Sequence, residues 1–147
     1  MRLLTSIFLL TAVLLPAQSS DEKDAVAVVQ QLFDGMAAHD GATIRLTMLP
    51  EARIYAVRDS GATNSVAGAD FAGQIETIKG KLLERFTDPP HVLIRGRMAE
   101  VWGEYEFLRD DKFNHCGVDN ASLLKTTDGW KIATIVYTTE TAGCKGQ

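Results

Sequence analysis

The side chains with chemistry to offer gather around one acidic turn. If Asp110 and Asp111 form a two-residue hairpin loop, Arg109 pairs with Lys112, Glu106 stands opposite His115, and Tyr105 stands opposite Cys116. A carboxylate facing an imidazole can orient the ring and raise its basicity, which is what a general base requires. The plainer reading of Glu106 and His115 is a cross-strand ion pair or a structural hydrogen bond. Glu100 and Glu104 share the Glu106 face with Trp102 and Leu108. So mixed a face alternates between solvent and cover along a twisted strand, which argues against a paired-carboxylate site there.

Counting outward from an Asp128-Gly129 hairpin puts Cys116 opposite Thr141, three residues short of Cys144. Ala142-Gly143 lets the tail fold back, so a Cys116 to Cys144 disulfide is sterically reasonable. The competing reading is a reactive thiol at Cys116 activated by His115. Adjacency opposes it, because neighbouring side chains of a strand point to opposite faces. His39, His91 and His115 lie far apart, and only His115 has a cysteine near it, so no metal set is expected. The sequence has no phosphate loop, Gly-x-Ser-x-Gly or dinucleotide fingerprint, and no cofactor is expected. Trp130 reads as a core anchor.

The elements that would carry these residues follow from periodicity. Ala25, Val29, Leu32, Phe33 and Met36 keep to one face of a helix over 24–38, with Ser20 or Asp21 as its cap. A short helix is predicted over 42–48, closed by Pro50, and a strand over 53–58. Ala62 to Gly68 reads as a loop. Phe71, Ile75, Ile78, Leu82 and Phe86 fall at helical steps, predicting one long helix that ends at Asp88-Pro89-Pro90. From His91 the period changes to that of strands: 91–95, 99–109, 112–127 and 130–139. Helices at the front and a meander at the back predict an α+β fold with a curved antiparallel sheet. Gly103 and Gly117 mark bends where that sheet can curl into a cone with N-terminal helices over its concave face, leaving a pocket.

Met1-Arg2, the apolar run Leu3 to Leu15 and the small residues Pro16 to Ser20 read as a secretory signal peptide over 1–19, cut after Ala17 or Ser19. The apolar run is shorter than the roughly 20 residues of a spanning helix. About 128 residues remain, a single-domain length, over 20–147. An exported chain with an even count of two cysteines favours the disulfide. The net charge is −4 with neither sign in blocks, so a nucleic-acid partner is not expected. Nor is membrane association expected once the leader is removed.

The order of elements, with Glu84-Arg85, Ala99-Glu100-Val101-Trp102, Tyr105-Glu106-Phe107, His115-Cys116-Gly117-Val118 and Asp128-Gly129-Trp130-Lys131-Ile132, resembles the nuclear transport factor 2-like superfamily. Within it, the chain is most similar to the exported bacterial branch described as SnoaL-like or lumazine-binding. Arg97 and Asp111 depart from the family pattern at turns. The resemblance implies a cone-shaped fold and no single function, because this fold hosts isomerases, dehydratases, cyclases and transport adaptors. Ketosteroid isomerase, a relative by fold, uses a carboxylate base and a tyrosine in an apolar cavity. Tyr55, Tyr105 and Tyr137 are present here, but no motif matches that base.

The leading expectation is therefore an exported domain that binds a small apolar or aromatic molecule in a pocket lined by Tyr55, Trp102 and Tyr105, as a homodimer through its open sheet face. The alternatives are an isomerase or dehydratase with His115 as base and Glu106 orienting it, or an interaction module using the exposed sheet.

Overall fold

The structure, a computed structural model, describes residues 19–144. The signal-peptide segment lies outside them apart from Ser19. Helix α1 (Ser20–Ala37) begins earlier than periodicity suggests, because Ser19 caps it. Its hydroxyl accepts the Glu22 N–H, and the Glu22 carboxylate accepts the Ser19 N–H in return. The expected apolar face is the buried one, Val29, Leu32 and Phe33 being almost fully enclosed. Helix α2 (Gly41–Thr47) is capped by Asp40, whose side chain takes the Thr43 N–H.

Strand β1 (Met48–Arg58) starts directly after α2 and is longer than predicted, with Pro50 inside it rather than closing a helix. The proline is tolerated because the β1 register against β7 is interrupted between Met48 and Arg53, where a missing N–H breaks no ladder bond. Residues 63–67, expected as loop, form β2 (Thr63–Ala67) on the outer edge of β1.

The largest departure follows. Helix α3 (Gly68–Thr77) covers only the first part of the long helix predicted over 71–86, and Leu82–Phe86 is a strand, β3. Gly80 turns the chain at φ +88°, and a Cβ there would lie 2.5 Å from Asp110 Oδ1. Lys81 donates its N–H to that same oxygen at 2.9 Å, and Asp110 donates its own N–H to the Lys81 carbonyl at 3.0 Å. These bonds latch β3 onto the end of β5. The helical spacing of Leu82 and Phe86 equally satisfies a period of two, and tertiary pairing decides between the two.

Strands β4 (His91–Arg95), β5 (Met98–Arg109), β6 (Lys112–Thr126) and β7 (Gly129–Thr139) form the predicted meander. The seven strands run β2-β1-β7-β6-β5-β3, and β4 also pairs β5, sharing its edge with β3 across Asp88-Pro89-Pro90. β1 and β7 are parallel, and the remaining pairs are antiparallel. The sheet is curved and unclosed, a cone whose concave face packs on α1 and α3. Val101, Leu123 and Ile132, none of them exposed, form the floor beneath α1, and Trp130 is buried beside them.

Both hairpins differ in detail from expectation. Asp110 and Asp111 take φ 53° and 61°, so this pair rather than Asp128-Gly129 makes the type I′ turn. In the β6–β7 hairpin the loop is Thr127-Asp128, and Gly129 alone carries a positive φ, at 97°. That turn and the register shift between Ser122 and Leu123 together set Cys116 against Glu140 instead of Thr141. The disulfide to Cys144 still forms, across a Cα separation of 6.0 Å, so Cys116 is not a free nucleophile.

This bridge closes a loop of 28 residues and ties the tail to the centre of β6. Loop-closure entropy for that span is worth about 3–4 kcal/mol. Replacing Cys144 with Ser should lower the unfolding free energy by about that much, and reductant should do the same to the parent chain but not to the variant. Equal urea midpoints with and without reductant would contradict this.

Candidate ligand-binding site

Between the helices and the concave sheet lies a cavity of about 190 Å³. Leu32 and Phe33 of α1, Ile75 of α3 and Ile135 of β7 give it an apolar lining. Four side chains break that character: Glu84 from β3, His115 and Asp119 from β6, and Tyr137 from β7. All four occupy inward positions. Glu84 pairs with Phe107, Phe107 with His115, and Asp119 lies between Gly103 and Tyr137. Gly103 leaves room on its strand for Phe86, whose ring would sit 2.6 Å from a Cβ there.

Asp119 is only 4% exposed, and its Oδ2 has no hydrogen-bond partner. Its other polar contact is the half-buried Glu84, whose carboxyl hydrogen-bonds to it. Burial, and then the Asp119 charge, drive Glu84 well above the ordinary carboxylate range. Burial pushes Asp119 up to about 7, against the opposing pull of the Glu84 hydrogen bond. The pair therefore keeps a proton at neutral pH, with Glu84 donating to Asp119.

Two phenols stand against this pair. Burial, then Asp119 and Glu84, hold the Tyr105 phenol protonated far above its usual range. Its hydroxyl donates to the Thr138 carbonyl at 2.8 Å. Tyr137 is raised by burial and by the same two carboxyls, and the ring centroids of the two tyrosines lie 6.4 Å apart. His115 packs on Phe107 at 4.9 Å and on Tyr105 at 5.7 Å, and desolvation lowers its pKa, so its imidazole is neutral.

The proposed pairing of Glu106 with His115 is not made. An extra residue, Asn114, bulges from β6, so Phe107 faces His115 and Glu106 faces Cys116. Glu106 points to the outer, convex face, where Arg85 Nε donates to it at 2.6 Å. The same slip sets Tyr105 against Gly117 rather than Cys116. Tyr55 and Trp102, expected in the pocket, are 43% and 41% exposed on the convex face. There Arg53 lies over Tyr55, and His91 lies beside Trp102. Tyr105 is buried behind the polar wall without lining the cavity itself. The carboxyl pair escaped the sequence reading because Glu84 was placed in a helix and Asp119 was one acid in a long strand. The usable signal was a lone acid on the apolar alternation of β6.

No protein-family model and no curated protein matches the sequence. Solved structures do resemble the fold. A nuclear transport factor 2-like superfamily protein from Salmonella enterica serovar Typhimurium has a TM-score of 0.66 at 16% identity, covering 85% of this chain and 94% of that one. A protein of unknown function with a cystatin-like fold from Nostoc punctiforme reaches 0.68 at 7% identity, over 84% and 95% of the two chains. A nuclear transport factor 2-like protein from Streptomyces avermitilis, provisionally called a dehydratase, gives 0.64 at 16% identity, over 82% and 96%. The chain thus has the nuclear transport factor 2-like, cystatin-like fold.

The buried pair has a measurable signature. The folded chain holds protons that the unfolded chain releases near the ordinary aspartate value of about 3.9. The contribution of Asp119 to stability therefore falls as pH rises from about 4 to about 7, and Glu84 extends the fall further. Asp119→Asn should be more stable than the parent at pH 8 by about 1–3 kcal/mol, with a smaller difference at pH 5. Urea unfolding at both pH values measures this, and a variant less stable than the parent at pH 8 would remove the assignment.

Proposed function

We propose that this chain is an exported binding domain whose cone holds a small apolar or aromatic molecule, with the polar end of that molecule against Asp119. The observation that carries this reading is the unpartnered Asp119 oxygen in the polar wall of a mainly apolar cavity. A buried acceptor left unsatisfied costs about 1–3 kcal/mol, which a ligand's donor would recover. A cavity near 150 Å³ is known to hold a benzene ring, so 190 Å³ suits a single ring with a short substituent.

Export is supported by the leader-like start and by the disulfide. Among the described residues no helix is long and apolar enough to cross a membrane. The Ser19 cap favours processing after Ala17, since a cut after Ser19 would strip α1 of a cap worth about 1 kcal/mol. Intact-mass measurement on the full-length chain expressed in a bacterial host should give a product beginning at Gln18. A product retaining Met1 would end the export reading.

One observation favours a second reading. A carboxyl that titrates near 7 in an apolar cavity is suited to moving a proton to or from carbon, so the enzyme alternative rests on Glu84 and Asp119 rather than on His115 and Glu106. A thermal-shift screen of the mature domain against single-ring aromatics bearing one hydrogen-bond donor should find stabilising compounds. Stabilisation by none of them would refute the binding reading. Deuterium uptake from heavy water into a bound ketone would move the assignment to an enzyme.

A further inference from the structure

We propose that the molecule this cavity takes is an amine, an apolar ring or short chain ending in an ammonium group that sits against Asp119 and Glu84. The inference rests on the ligand-binding reading above and adds the chemical class. Two carboxyls sharing one proton carry a net negative charge, and an apolar wall can hold that charge only at a cost unless a cation meets it. Among the described residues no ion pair supplies such a cation. Among the described residues the ion pairs are Arg45 with Glu76, Lys81 with Asp111, Arg85 with Glu106 and Lys125 with Asp21, none of which includes the cavity carboxyls. Arg85, the next residue after Glu84, is turned to the convex face by strand alternation and bound there.

The arrangement also selects among cations. A metal ion needs several donors, and among the described residues no group of three or more His, Cys, Asp or Glu side chains gathers to hold one. An ammonium group brings three N–H donors and no acceptor. The empty Asp119 Oδ2 takes one, the half-buried Glu84 can take a second, and the apolar lining receives the body of the molecule. An alcohol would fill the hydrogen bond and leave the charge unmet, and an acid would add a second negative charge. Among the described residues Arg58 is the cation whose charge reaches this wall, where it acts on Tyr137 and makes no ion pair with either carboxyl. Tyr137 from β7 and Tyr105 from β5 stay protonated, His115 on the same wall stays neutral, and α1 and α3 present apolar side chains to the cavity.

Calorimetric titration of the mature, disulfide-bonded chain with 2-phenylethylamine, 2-phenylethanol and phenylacetate tests this. At pH 8 the amine should bind about tenfold or more tightly than the alcohol, with the acid weakest. Amine affinity should rise about tenfold from pH 6 to pH 8 as the pair gives up its first proton. Asp119→Asn should remove most of the amine's advantage and leave alcohol binding within about twofold of the parent, whereas Glu84→Gln, which keeps a neutral donor beside the Asp119 charge, should retain most of that advantage. An alcohol that binds as well as the amine would overturn the amine class while keeping the ligand pocket. Failure of all three probes to bind would take the pocket reading down as well.

Discussion

The hairpin of β5 and β6 carries the other strands, with β3 and β4 along one edge and β7 along the other, so its register determines which side chains enter the cone. Two local features set that register. The type I′ turn at Asp110-Asp111 fixes the pairing of Arg109 with Lys112, and the bulge at Asn114 then shifts the β6 residues beyond it by one place. A one-residue slip exchanges the faces of a strand. Without the bulge, His115 and Asp119 would move to the convex side and Cys116 and Val118 would turn inward. The polar wall of the cavity therefore depends on a single extra residue, and the aspartate that begins the turn also anchors β3, the strand that brings Glu84.

That dependence explains what the sequence could and could not reveal. The core face of α1 was legible because five apolar positions at helical spacing have no competing period. The four late strands and the disulfide were legible for similar reasons: alternation is strong from His91 onward, and the two cysteines have only each other. The site was not legible. Predicting Glu106 opposite His115 used correct hairpin arithmetic near the turn, but arithmetic cannot see a bulge. Glu84 was hidden by a coincidence of spacing, since Leu82 and Phe86 are four apart and fit both a helix and a strand. Only the Gly80 and Asp110 contact, which joins residues about thirty apart in sequence, resolves it.

The energetics of the cavity run against those of the core around it. Val101, Leu123 and Ile132 stabilise the fold by leaving water, whereas Asp119 and Glu84 are held away from water at a cost. Stability that could be gained by replacing them is a sign of a site maintained for something other than folding. Tyr105 adds to the same picture. Its hydroxyl is spent on Thr138, a bond that holds the ring behind the carboxyls.

Pro89 and Pro90 bear on a different property. They divide the edge that β3 and β4 present into two strands of five residues each, separated by a stretch in which the two prolines cannot donate a backbone hydrogen bond. An open sheet invites further strands to add from another molecule, and the invitation is stronger the longer and more regular the edge. Here an incoming strand would find at most five residues of continuous template before meeting the proline break. The proline break that splits this rim thus also limits edge-to-edge strand addition there.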